Sequence, residues 1–189
     1  MKILVASSGA IATSLLPQWL LILRQFGRYE FRIVLTPSAA RFVSTSAISA
    51  VADGLVYTDD DAFPSDGTTM PPHLDLATWA DVILFVPATY NSLIKLSLGI
   101  ADNLLLTIMA FSESPIIAVP AIAPAIAKKD AYKRMLTALK ERGIHFVVPG
   151  GPTLEVSSGQ YVTQAGAGMA TFEEVAAAIL EYDEMKNSK

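Results

Sequence analysis

Ile3-Leu4-Val5-Ala6-Ser7-Ser8-Gly9 opens the chain with four consecutive apolar residues that stop at two hydroxyls and a glycine. A short apolar run without alternation is the pattern of a strand buried on both faces, as in a parallel sheet. The next stretch has helical spacing: Ile11, Leu15, Leu16, Trp19, Leu20 and Leu23 share one face, and Gly27 is a natural stop. Strand, small-residue turn and amphipathic helix make the first unit of an α/β fold.

The same unit recurs along the sequence. Phe31 to Leu35 reads as a second strand, and Pro37-Ser38 opens a helix through Phe42 and Val43. Residues 54–72 change character, with Asp59-Asp60-Asp61 followed by Pro64, Gly67, Pro71 and Pro72, and read as a long polar loop. Asp81 to Val86 and Pro115 to Val119 are further apolar strands, and Ile144 to Val148 is the fifth. Between them lie helical stretches at Asn91–Leu98, Asn103–Phe111 and Lys128–Arg142, the last ending at Gly143. Residues 150–168 are glycine-rich and irregular, with room for a small hairpin, and Phe172, Val175, Ala176, Ile179 and Leu180 mark a closing helix. The expectation is an α/β, Rossmann-like or flavodoxin-like three-layer sandwich with a central parallel sheet, one domain over 1–189.

Composition narrows the chemistry. The 189 residues are 52% hydrophobic and 17% charged, with net charge −4 and no basic stripe, which argues against nucleic acid as a partner. The absence of cysteine rules out disulfides, thiolate metal sites and a cysteine nucleophile within the chain. The N-terminal run is too short for a signal peptide, and Pro120 and Pro124 interrupt the most apolar later stretch. The expectation is a cytoplasmic protein that does not enter the membrane. No metal-binding spacing is present, so no metal is expected.

In a parallel sheet, ligands bind beyond the C-terminal strand ends. The loops there are Ser7-Ser8-Gly9, Thr36-Pro37-Ser38, Pro87 to Ser92 and Pro120 to Ala123. Hydroxyls, glycine and helix-start amides suit a phosphate, although no loop carries the dinucleotide or Walker pattern. His73 follows the polar loop; His145 sits inside a strand pattern. Asp102-Asn103 reads as a helix cap and Asp59–Asp61 as a solvated cluster.

Pro87-Ala88-Thr89-Tyr90-Asn91-Ser92 resembles the Pro-Ala-Ser-Ala-Asn-Thr motif of the homo-oligomeric flavin-containing cysteine decarboxylases. Lys95, Gly99 and Ala101-Asp102-Asn103-Leu104 continue that family's pattern, and the likeness runs from Met1 to about Tyr161. Glu155-Val156-Ser157-Ser158-Gly159-Gln160-Tyr161 resembles the substrate-covering segment of the peptidyl-cysteine branch, represented by the epidermin, cypemycin and thioviridamide enzymes. The resemblance implies FMN held by Ser7, Ser8, Gly9, Thr36, Ser38, Thr89, Tyr90, Asn91, Ser92 and Ala121. It implies His73 as the catalytic histidine. It places the substrate against Ala123, Ser157, Ser158, Gly159 and Tyr161, with 150–168 as a flap.

One departure stands out. The family's Pro-x-Met-Asn-x-x-Met-Trp motif is here Pro120-Ala121-Ile122-Ala123-Pro124-Ala125-Ile126-Ala127, so alanine replaces the asparagine that contacts substrate. The implied reaction is oxidative decarboxylation of the C-terminal cysteine of a precursor peptide to an aminoenethiol, by a homotrimer or homododecamer. Two alternatives stay open: a phosphopantothenoylcysteine decarboxylase-like enzyme, and a non-catalytic flavin-binding regulatory subunit.

Overall fold

A computed structural model describes residues 1–52, 55–63, 70–155, 158–163 and 165–188. Six strands form a parallel sheet: β1 (Lys2–Ser7), β2 (Glu30–Leu35), β3 (Val56–Tyr57), β4 (Val82–Thr89), β5 (Ile116–Ala121) and β6 (His145–Phe146). Their order in space is β3-β2-β1-β4-β5-β6. That is the doubly wound Rossmann-like order, with its reversal between β1 and β4. The helices are α1 (Leu16–Phe26), α2 (Thr45–Val51), α3 (Pro72–Trp79), α4 (Tyr90–Ser97), α5 (Leu104–Phe111), α6 (Pro124–Ala127), α7 (Asp130–Glu141) and α8 (Phe172–Asn187). A hairpin of β7 (Thr153–Glu155) and β8 (Gln160–Val162) stands apart from the sheet.

The apolar runs lack alternation because both sheet faces are covered. Leu4 and Ala6 of β1 join Ile83, Phe85 and Ala118 in one core, packed under α3, α4, α5 and α7. Ile3 and Val5 join Ile33, Leu84 and Val119 in the other, under α1, α2 and α8. The α/β three-layer sandwich expected from the sequence is the fold observed.

Local differences have local causes. The helix expected from Pro37 is a single 3-10 turn, Ala39–Arg41, closed by Phe42 N–H donating to Ala39 O, an i to i+3 bond. Ser44 then adopts an extended backbone, and α2 begins at Thr45. Within 54–72 the chain is not all loop: Val56 and Tyr57 pair with Ile33 and Val34, adding a sixth strand at the edge. The pair Pro71-Pro72 starts α3 instead of prolonging the loop, since Pro72 occupies a first-turn position whose N–H would have no helical partner. The helix expected over 128–142 begins only at Asp130, because Lys129 is extended between α6 and α7. Of the strand expected over 144–148, two residues pair with β5.

Phe85 is fully buried in the middle of β4. Phe85→Ala is expected to lower the unfolding free energy by about 3–5 kcal/mol, with little change in the denaturant slope. Urea titration followed by circular dichroism checks both quantities.

Candidate functional site

The four segments read as loops lie at the C-terminal ends of β1, β2, β4 and β5, around the β1/β4 reversal, but two are largely not loops: Pro87–Thr89 extend β4 and Tyr90–Ser92 already belong to α4, while Pro120–Ala121 end β5. Ser8 is the joint between them. Its amide donates to Pro87 O at 3.1 Å. Its Oγ accepts the Thr89 N–H at 2.9 Å and lies 2.9 Å from Pro87 O and 3.0 Å from Thr89 Oγ1. A hydroxyl has one hydrogen, so Ser8 donates to one of these oxygens at a time. Thr89 Oγ1 in turn lies 3.3 Å from Ser92 Oγ.

The β2 loop closes on this seam. Thr36 N–H donates to Ser7 O at 3.0 Å, and Thr36 Oγ1 accepts the Ala39 N–H at 3.2 Å. Gly9 is required by close approach: a Cβ there would stand 2.4 Å from Ser38 Cβ. Ser38 and Asn91 are exposed, and Tyr90 is half-buried.

Two observations fit the phosphate of the FMN expected here. Ser7 Oγ is buried without a hydrogen-bond partner among the described residues, an arrangement that costs free energy unless a ligand or water completes it. The Thr89 side chain does not cap α4, so it leaves the first-turn amides for other acceptors.

Ala121 and Ala123 border a cavity of about 320 Å³. One wall is the β1 loop, through Ala10, Ile11 and Ala12; the opposite wall is the hairpin, through Thr153, Leu154, Glu155 and Val162. Both feet of the hairpin are tied. Ile122 and Gly168 exchange two backbone hydrogen bonds, at 3.0 and 2.6 Å. Gly168 has φ +78°, and a Cβ on it would stand 2.1 Å from Thr153 Oγ1, so this anchor admits glycine alone. At the other foot, Glu174 accepts the Gly150 and Thr171 amides at 2.7 and 2.8 Å, which hold its carboxyl below the usual range.

Ser158, Gly159 and Tyr161 lie exposed on this hairpin, Tyr161 at 74%; Ser157 falls outside the described residues. Tyr132 underlies the arrangement, donating to Gly166 O at 3.3 Å with its ring 6.3 Å from that of Tyr90. Burial pushes its phenol up to about 12, so it stays neutral and remains a donor.

His73 is elsewhere. It lies in the first turn of α3, with its ring 5.3 Å from Phe111, and lines a second cavity of about 300 Å³ with Asp59, Phe63, Asp102, Asn103 and Thr107. That cavity shares no lining residue with the one at Ala121. Asn103 caps α5, accepting the Leu106 N–H at 2.9 Å, and Asp102 pairs with Lys95 at 2.6 Å. Asp59, from the acidic run, accepts the Leu104 N–H at 3.0 Å. His145 is exposed on β6. Among the described residues no group of three His, Asp or Glu could hold a metal ion, and no helix is long and apolar enough to cross a membrane.

Ala121, Ala123 and the 150–168 segment were named from the sequence and border the cavity, but the individual residues of its other walls were not legible. Ala10, Ala12 and Thr153 have no chemistry to mark them. Gly168 had only the glycine-rich character of its segment as a signal.

The family model described as Flavoprotein matches residues 1–182. A bifunctional coenzyme A biosynthesis protein, CoaBC, of Bacillus subtilis (strain 168) is 36% identical over 118 residues, 62% of this chain and 29% of that protein. The chain thus spans under a third of that relative. Among solved structures, a mutant PPC decarboxylase complexed with pantothenoylaminoethenethiol superposes with a TM-score of 0.82 at 27% identity, covering 97% of this chain and 98% of that one. The FMN-dependent cysteine decarboxylase TvaF from thioviridamide biosynthesis gives 0.71 at 32% identity, covering 77% and 88%.

Two variants separate the parts of the site. Ser8→Ala removes the hydroxyl that joins β1 to β4, leaves the Thr89 N–H without its acceptor and should weaken FMN binding by about 10-fold through the loosened joint, read by fluorescence titration with FMN. Gly168→Val should leave that affinity within about threefold, since additivity holds for separate features, while limited proteolysis cuts the hairpin faster.

Proposed function

The chain belongs to the Flavoprotein family and its cofactor is FMN; from that premise we propose that it oxidatively decarboxylates the C-terminal cysteine of a ribosomally made precursor peptide to an aminoenethiol. The observation that carries this reading is the cavity at Ala121, which opens between the β1 loop and a hairpin tied at both feet. An extended peptide end fits such a covered groove, and the hairpin's exposed Ser158, Gly159 and Tyr161 are available to fold over it.

Bound FMN supplies the two-electron acceptor that the oxidation needs. Ser7, Ser8, Thr36, Ser38, Thr89, Asn91 and Ser92 hold its phosphate end, while Gly9 gives the β1 loop its close approach. Tyr90 and Ala121 bound the site on the β4 and β5 sides. Ala123 presents a methyl where the family motif has asparagine, so the hairpin takes a larger share in holding the substrate. His73 takes the proton of the substrate thiol, a task suited to imidazole near neutral pH.

Within one chain His73 faces a different cavity, so a second copy must bring its His73 to the groove. Phe63 is 90% exposed beside that histidine, and Phe111, Met70 and Ile100 are exposed as well. Apolar surface of this kind is what self-association covers. We read the assembly as a homotrimer able to pack further into a dodecamer. Residues 1–189 act as one flavoprotein domain in each copy.

The chain has no cysteine to return a proton to the enethiol, so turnover stops at the unsaturated product. A phosphopantothenoylcysteine substrate is the second reading, supported by the likeness to CoaBC and to PPC decarboxylase. Ala123 and the missing cysteines weigh against it.

FMN-loaded protein given peptides ending in cysteine should produce a loss of CO2 and two hydrogens, about 46 Da under the flavin-driven scheme, seen by mass spectrometry. His73→Asn should retain FMN while turnover falls at least about 100-fold, the usual weight of a general base. Undiminished turnover would remove His73 from the reaction.

A further inference from the structure

Among the described residues, Glu155 is the one charged side chain lining the cavity at Ala121. Nor is a cation supplied by the rest of the segment: from Val147 to Thr171 the sequence contains no Lys, Arg or His, and Glu155 is its single acid. The carboxylate is held in place, because Glu155 Oε2 accepts the Ser158 hydroxyl at 2.7 Å and Glu155 O accepts the Gly159 N–H at 2.8 Å. One bond from Ser158 leaves most of the carboxylate's acceptor capacity for another donor. The opposite wall is alkyl, with Ala10, Ala12, Ala121 and Ala123. It offers nothing to offset a second negative charge and little competing solvation.

We propose that Glu155 sets the charge of the substrate, favouring a basic side chain beside the terminal cysteine and turning away acidic and phosphorylated chains. This rests on the peptide-decarboxylase reading and adds a selectivity that the reading does not contain. A cationic side chain reaching the Glu155 carboxylate gains a charge-assisted hydrogen bond. A glutamate or a phosphate in that position meets like charge without a compensating cation. Residue 155 therefore discriminates as much by repulsion as by attraction. A phosphorylated pantothenoylcysteine is rejected on the same ground.

The test uses FMN-loaded protein and three peptides identical except for Lys, Gln or Glu before the last residue. Serine replaces the terminal cysteine, so binding is read by calorimetry without turnover. The Lys peptide should bind about tenfold more tightly than the Glu peptide, the scale of one partly solvent-screened charge pair on each side of neutral. Added salt should shrink the difference. Glu155→Gln keeps the shape and should bring the ratio close to one; Glu155→Lys should invert it, with retained FMN absorbance certifying the fold. An unchanged ratio in Glu155→Gln, or no binding by any peptide, overturns the proposal. The matching cysteine peptides separate it from the reaction: a Glu155-dependent binding order without CO2 loss sinks the reaction alone. CO2 loss with the same peptide order in wild type and Glu155→Gln sinks the selectivity alone.

Discussion

Ser8 and Thr89 are 81 residues apart in sequence and share hydrogen bonds across the seam between β1 and β4. Those strands are neighbours whose connections run to opposite sides of the molecule, which leaves a crevice at their C-terminal ends. The site depends on this joint. It fixes the β1 loop against the β4 loop, and Gly9 lets the β2 loop come within what would be a clash for any side chain. The buried Ser7 hydroxyl is then left with bonding capacity that the described residues do not use. The two cores above and below the sheet hold the strands in register, so the loops inherit their positions from apolar packing and need few contacts of their own.

The second half of the site is built differently. The hairpin is not part of the sheet; it is fastened to the sheet through the Ile122–Gly168 bridge and to α8 through Glu174. A tied hairpin can vary its tip without disturbing the loops at the β1/β4 seam. In this chain the tip and groove carry Glu155 and the motif position carries Ala123. The polar groups lining the cavity thus lie on the hairpin side, while the β5 side offers the apolar Ala121, Ile122, Ala123 and Pro124.

The length scale of each feature decides how far residues alone reveal it. The apolar runs of β1, β2, β4 and β5 are long enough to declare themselves, and Asn103 declared the start of α5 as a side chain that can cap. β3 has two residues and no periodicity, so only its pairing with Ile33 and Val34 makes it a strand. α3 begins on a proline pair that reads equally as a turn. That hydroxyls gather at the strand ends was legible from their positions; which of them serve a turn, as Thr36 does for the Ala39 N–H, was not. Nor was the placement of His73: spacing along the chain does not show which of two cavities a helix's first turn will face. Gly168 was hidden for the opposite reason, since its need for glycine arises from Thr153, which is distant in sequence and adjacent in space.

The phosphate seam is the claim on which the cofactor site rests, and it can be tested without substrate. FMN and riboflavin share the isoalloxazine ring and differ by the phosphate that, in the proposed site, Ser7, Ser8, Thr89 and Ser92 would hold. Parallel fluorescence titrations of the cofactor-free protein should show FMN binding at least about 100-fold more tightly than riboflavin, as expected for several charge-assisted hydrogen bonds to one anion. Equal affinity for the two flavins would contradict a phosphate site at the β1/β4 seam.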